Sequence, residues 1–155
     1  MRYDFMRRAI ELSVENVRQS RGGPFGCVIV KDDRILAEGS NLVTSTNDPT
    51  AHGEIVAIRA ACAALKNFQL EGCDLYTSCE PCPMCLGAIY WSRLAAIYFG
   101  CTHREAARFG FDDSLLYQQV RLPMERRQIP MRQLLSDEAL EGFREWDRSG
   151  NKIPY

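Results

Sequence analysis

Cys73-Asp74-Leu75-Tyr76-Thr77-Ser78, Cys79-Glu80-Pro81-Cys82 and Pro83-Met84-Cys85-Leu86-Gly87-Ala88-Ile89-Tyr90-Trp91 follow one another without a break. The first run is short, apolar and bounded by turn formers, as a buried strand is. Proline favours the first helical position, so Pro83 opens a helix that runs to Trp91. Strand and helix continue to alternate outward from this unit. Downstream, the sequence predicts a strand from Leu94 to Gly100, a short helix from Arg104 to Phe109 and a last strand from Ile129 to Leu134. Ser136 then caps a helix with Asp137 and Glu138 in its first turn, an apolar face of Ala139, Leu140, Phe143 and Trp146, and a stop at Gly150. Upstream come a helix from Gly53 to Leu65, a turn-rich stretch from Thr44 to Pro49, and a β-hairpin with arms Phe25–Val30 and Ile35–Gly39. A first helix from Asp4 to Ser20 places Phe5, Met6, Ala9, Ile10, Val14 and Val17 on one face, and Gly22-Gly23-Pro24 ends it. Such alternation defines an α/β chain, a three-layer α/β/α sandwich around a central mixed sheet of about five strands.

With 155 residues, 46% of them hydrophobic, the chain suits one domain over residues 1–155 with its own core. No apolar run approaches the ~20 residues that span a bilayer. The opening Met1-Arg2-Tyr3-Asp4-Phe5-Met6-Arg7-Arg8 has mixed charge and lacks the apolar stretch of a secretory signal. A cytoplasmic protein is therefore expected. In that reducing setting seven cysteines mean metal or packing before disulfides, and the odd number leaves any disulfide framework one thiol short. The net charge is −1 and the pI about 6.1. A nucleic-acid-binding domain is typically basic, with a pI above ~9. Arg121, Arg126, Arg127 and Arg132 form the one dense basic stretch and read as a solvated strand face. The expected substrate is a small molecule, with no membrane and no nucleic acid as partner.

Cys82 falls at the N-cap of the helix that Pro83 opens, and Cys85 lies three residues on, on the same side. Exposed N–H groups and the helix dipole stabilise thiolates there, and thiolate is the metal-binding form. His52 completes a Cys₂His set, which leaves a fourth tetrahedral position open, as catalytic zinc sites do. One zinc per chain is expected. Glu54 sits two residues from His52, and side chains so spaced do not share a helix face. Both can reach one metal only if it lies off the helix N-terminus, which the turn Asn47-Asp48-Pro49-Thr50 allows. Glu54 is then the general acid/base that moves protons between an activated water and the substrate. Two other ligand sets stand beside this one: a closed four-ligand knot that adds His103, and a pair made of Cys79 with Cys82. Cys27, Cys62, Cys73 and Cys101 lie in apolar runs and read as buried small hydrophobes.

His52-Gly53-Glu54 with Pro81-Cys82-Pro83-Met84-Cys85 resembles the His-x-Glu and Pro-Cys-x-x-Cys pair of the zinc nucleobase deaminases. The chain is similar along its length to the cytidine deaminase-like superfamily, and within it to the small bacterial guanine deaminases. Gly22-Gly23-Pro24-Phe25-Gly26, Asn47-Asp48-Pro49-Thr50-Ala51-His52, Ser78 to Trp91, and Gly110-Phe111-Asp112-Asp113-Ser114 carry the likeness. The last segment narrows it, being typical of guanine and plant guanosine deaminases.

The resemblance implies conversion of guanine to xanthine and ammonia. It implies that Asn41 and Asp113 hydrogen-bond the base, and that Phe25 and Trp91 pack on it. It also implies a homodimer in which the C-terminal helix and tail, residues 136–155, are exchanged, so that Tyr155 closes the partner's pocket. On the residues alone, Asp113 reads equally as a cap or turn aspartate, Asn41 as a turn former, and Phe25 and Trp91 as core. Gly53 departs from the alanine usual in guanine deaminases and matches fungal-type cytosine deaminases, which keeps a pyrimidine or a nucleoside among the substrates. Cys101-Thr102-His103-Arg104-Glu105-Ala106 differs from the small-residue loop of tRNA adenosine deaminases. A non-catalytic zinc-stabilised module would have no use for Glu54.

Overall fold

The computed structural model describes residues 2–155. Its chain order is α1 (Tyr3–Arg18), β1 (Gly26–Lys31), β2 (Arg34–Ser40), α2 (Val43–Thr46), α3 (Gly53–Leu65), β3 (Asp74–Cys79), α4 (Pro83–Trp91) and β4 (Ala96–Cys101). After these come α5 (His103–Ala107), α6 (Ser114–Arg121), a 3₁₀ turn (Met124–Arg126) and α7 (Ser136–Arg148). The chain divides into two compact units, one through Leu116 and the other Tyr117–Tyr155.

In the first unit the strands form one sheet in the order β2-β1-β3-β4. β1 runs antiparallel to both β2 and β3, and β3 runs parallel to β4, so the sheet is mixed. Alternation along β1 sends Cys27 and Ile29 to one face, where they meet Ala57 and Ala61 of α3 and Ile89 of α4. Val28 and Val30 go to the opposite face, against Phe5 and Leu12 of α1. These are the three layers, α1 over one face and α3 with α4 over the other.

Two glycines set how closely the helices approach. A Cβ on Gly26 would lie 2.3 Å from the Ala9 carbonyl oxygen of α1, and one on Gly39 would lie 2.2 Å from the Gly53 carbonyl oxygen of α3. Gly39 pairs with Cys27 in the sheet, which places it on the α3 face. Its missing side chain thus brings the N-terminus of α3 down onto the sheet.

Three expectations are corrected. Ile129–Leu134 is exposed and irregular, so the sheet has four strands among the described residues rather than about five. Pro130, within that segment, has no N–H to offer a ladder. In α1 the buried stripe is Phe5, Ala9, Leu12, Ser13 and Asn16, while Ile10, Val14 and Val17 are exposed. Two of its members are polar, and hydrophobicity alone does not find them. Leu135, with left-handed backbone, occupies the N-cap position of α7 instead of Ser136.

The Gly39 contact generates a test. Gly39→Ala overpacks the seam and should cost about 1–3 kcal/mol. Gly53→Ala, whose Cβ finds its nearest neighbours at 3.4 Å and 3.5 Å, should be neutral or stabilising. Thermal unfolding of the two variants side by side checks the contrast, and equal melting temperatures would refute it.

Candidate active site

All the elements that build the site end at one edge of the sheet. β2 and β3 deliver their C-terminal ends there and β4 its Cys101, while α3 and α4 present their N-termini. His52 is the N-cap of α3, and Cys82 is the N-cap of α4 with Pro83 at the first helical position. Neither side chain caps its own helix, so both are available to a shared centre. Cys85, in the first turn of α4, is fully buried beneath them.

His52 Nδ1 lies 3.6 Å from Cys82 Sγ and 3.5 Å from Cys85 Sγ. Zinc bonds of about 2.0 Å to nitrogen and about 2.3 Å to sulfur separate tetrahedral donors by roughly 3.5 Å, so the three atoms fit one ion. Among the described residues these three form the group that could hold a metal. His103 and Cys79 stand outside it, which removes both the four-ligand knot and the Cys79–Cys82 pair. The Cys85 thiol and His52 hold the Cys82 thiol down at about 4, so Cys82 is a thiolate at neutral pH. Cys85 moves the other way, because its proton is shared with that thiolate and burial opposes charge.

Glu54, in the first turn of α3, is only 6% exposed. Thr77 Oγ1 donates to its Oε1 at 3.4 Å and Cys85 Sγ to its Oε2 at 3.5 Å. Burial raises the pKa of its carboxyl. That is the condition of a group able to carry a proton near neutrality.

A cavity of about 360 Å³ opens over this cluster. His52, Glu54 and Cys82 form its floor, and Phe25, Asn41, Phe111 and Asp113 belong to its walls. The rings of Phe25 and Phe111 meet edge to face, with centroids 4.9 Å apart. Asn41 Oδ1 accepts from the N–H groups of Gly23 and Val43, both at 3.3 Å, which commits its oxygen and leaves the amide nitrogen for a ligand. Of the neighbouring aspartates, Asp112 closes the turn, its Oδ1 accepting from the Ser114 N–H at 2.9 Å. Asp113 is therefore not spent on the turn. Its Oδ1 is buried without a hydrogen bond, and burial raises the pKa of its carboxyl.

Trp91 is 66% exposed and lies at the C-terminal end of α4, roughly 13 Å along the axis from Cys82 and roughly 9 Å from Cys85. Within this chain Phe111 is the aromatic partner of Phe25 instead. Tyr155 is exposed at the end of the second unit. Cys101 is exposed and Cys62 half-buried, against the expectation of burial; Cys27 and Cys73 are buried.

Sequence reasoning missed the residues that brace the walls. Asn16 Nδ2 donates to the carbonyls of Gly23 at 2.9 Å and Asn41 at 2.8 Å, tying the glycine loop to Asn41. The signal was an asparagine on the Phe5-Ala9-Leu12 stripe. Glu80 Oε2 accepts from the His103 N–H at 3.0 Å, linking the cysteine loop to α5.

A mixed sheet layered between helices, with a Cys₂His donor set and a buried carboxylate under a small cavity, forms a site of the kind that hydrolytic zinc enzymes use. Residues 2–101 match the cytidine and deoxycytidylate deaminase zinc-binding region, and the chain belongs to that family. It is 53% identical to the guanine deaminase of Bacillus subtilis (strain 168) over 151 residues, 97% of either protein. The X-ray structure of the Bacillus subtilis enzyme superposes with a TM-score of 0.97 at 52% identity, covering 100% of this chain and 99% of that one. A guanine deaminase from Nitrosomonas europaea gives a TM-score of 0.68 at 30% identity, over 94% of this chain and 84% of that one. The tRNA-specific adenosine deaminase of Agrobacterium fabrum is 47% identical over 77 residues, only 50% of this chain and 51% of its own.

Cys85→Ala should lose zinc, whereas Cys79→Ala should keep about one ion per chain, since two donors seldom hold a catalytic zinc tightly. Metal analysis of the purified variants decides it. Zinc retained in Cys85→Ala and lost in Cys79→Ala would reverse the ligand assignment.

Proposed function

We propose that the chain is a guanine deaminase, converting free guanine and water to xanthine and ammonia. The observation that carries this reading is the buried, unbonded Oδ1 of Asp113 in the same cavity as the zinc donors and Glu54. Guanine presents adjacent donors, N1–H and the exocyclic amine, and a carboxylate is their natural acceptor. The cavity falls in the size range of small-molecule sites, ~300–1,000 Å³. Likeness to guanine deaminases extends over nearly the whole chain and takes in Gly110–Asp113, while likeness to tRNA-specific adenosine deaminases covers 50% to 70% of it. A Cβ at Gly53 would make ordinary contacts at 3.4 Å and 3.5 Å, so the site would accept the alanine usual in guanine deaminases and this departure does not favour a pyrimidine substrate.

His52, Cys82 and Cys85 would hold the zinc. When bound, it supplies Lewis acidity that brings the pKa of a coordinated water to about 7. Glu54 accepts the first proton of the attacking water and delivers it to N3, the ring nitrogen beside the amine-bearing carbon. The carbon–oxygen bond forms at C2. Glu54 then moves the second proton to the amine, the C2–N bond breaks with its electron pair going to nitrogen, and ammonia leaves. Asp113 accepts from the N1–H and amine side of the base, and the Asn41 amide nitrogen donates to it. Phe25 and Phe111 confine its faces.

The reading includes a homodimer, supported by exposed Tyr90 and Trp91 on α4 and by exposed Leu140, Phe143 and Trp146 on α7. In that dimer residues 136–155 are exchanged and Tyr155 closes the partner's cavity, excluding water. The tail Ile153-Pro154-Tyr155 is apolar and stiff, and both Ile153 and Tyr155 are exposed. A cytoplasmic site of action suits seven cysteines that are all free. No helix among the described residues is long and apolar enough to cross a membrane.

Glu54→Gln should abolish ammonia release from guanine with zinc retained, and wild-type turnover in that variant would overturn its role. Asp113→Ala should lower kcat/KM for guanine roughly ten- to hundredfold, the cost of leaving a buried donor unpaired. An unchanged kcat/KM would remove the guanine assignment. Co-expressing Glu54→Gln with a chain lacking Ile153–Tyr155 tests the exchange. A swapped heterodimer has one site with both Glu54 and a lid, so activity should reappear. Heterodimers that stay inactive would rule out closure by the partner.

A further inference from the structure

We infer that His103 is a positioning residue for substrate recognition, holding the Asp113 carboxylate in the orientation that meets the base. The inference rests on the reading of Asp113 given above. His103 Nδ1 stands 3.4 Å from Asp113 Oδ1, in ion-pair range, and both side chains line the cavity. The oxygen it faces is the buried Oδ1 that no hydrogen bond fixes, so the imidazole is the side chain placed to set the orientation of that carboxylate.

His103 is built to be a fixed point. It is the first residue of α5, whose N-terminus is closed by a capping box between Thr102 and Glu105. Its backbone N–H, unpaired within a short helix, is taken by Glu80 Oε2. Glu80 is itself joined to the end of β4 through its N–H and the Cys101 carbonyl at 2.8 Å. The Asp113 segment hangs on the same helix, through the Phe111 N–H and the Ala106 carbonyl at 3.3 Å.

Burial disfavours the Asp113 carboxylate, and the Cys82 thiolate adds negative charge beside it. His103 is the group that opposes them, drawing the carboxylate toward its charged form. A base donor needs an acceptor whose rotation is already spent, and the imidazole supplies that without touching the reacting atoms.

Three variants read the role against Asp113→Ala, with zinc content and melting temperature measured alongside. His103→Leu removes the nitrogen and should lower kcat/KM for guanine about tenfold, mostly through KM. His103→Asn keeps a nitrogen near the Nδ1 position and should stay within about threefold of the parent, whereas His103→Gln moves it outward and should behave like leucine. In the double variant Asp113→Ala/His103→Leu the loss should equal that of Asp113→Ala alone, because the effect of the histidine on the base runs through the Asp113 carboxylate. Equal activity of the Asn and Gln variants, or additive losses in the double variant, would overturn the proposal. So would a kcat/KM within twofold of the parent for His103→Leu while Asp113→Ala is impaired. Should Asp113→Ala itself leave kcat/KM unchanged, the guanine reading fails first, and this proposal with it. If His103→Leu does not fold, the Asn and Gln pair decides alone.

Discussion

Three donor atoms from two distant segments must meet within about one tetrahedral edge of each other, and every layer of the fold serves that convergence. His52 is set by the N-terminus of α3, and Cys82 with Cys85 by the N-terminus of α4. Both helices lie on the same face of the sheet, around Cys27, Ile29 and Ile89. Gly39 lets α3 rest directly on β2. A side chain there would lift the very turn that carries His52 and Glu54. The packing seam and the metal centre are therefore one constraint.

Putting helix N-termini at the centre also shapes its electrostatics. Free N–H groups and aligned dipoles favour negative charge, which suits thiolates and disfavours a protonated imidazole as ligand. Cys82 is already ionised through its bonds to Cys85 and His52. Glu54 shares the turn with His52, yet burial outweighs that benefit and raises its pKa. One helix end thus presents a metal donor and a buried carboxyl two residues apart, because their side chains leave the axis in different directions.

Opposite the donors, the cavity is closed by segments with no regular structure of their own, the Gly23–Phe25 loop and Gly110–Asp113. Each is tied down by a polar side chain on a neighbouring helix or strand end. Asn16 of α1 holds the first through the carbonyls of Gly23 and Asn41. Glu80 and α5 hold the second. The walls that meet a ligand are loops, and their rigidity is borrowed from buried amides and carboxylates.

The metal donors, the carboxyl beside them and the layer order were legible in the chain because each depends on rules that act within a turn or two. Proline after Cys82 places a helix start, a two-residue offset separates His52 from Glu54, and alternation of apolar runs defines the strands. Asn16, Glu80, His103 and Phe111 were not legible, since each acts on a segment far away in sequence that only the sheet brings near. Trp91, which the resemblance placed against the base, is exposed at the C-terminal end of α4 in this chain. Ile129–Leu134 looked like a strand by composition, but Pro130 cannot join a ladder. The sequence by itself determined which atoms can bind zinc and move a proton, because those are properties of side-chain chemistry and local spacing. Tertiary structure alone decided which loops stand over them, because loop closure depends on long-range packing that no local pattern encodes.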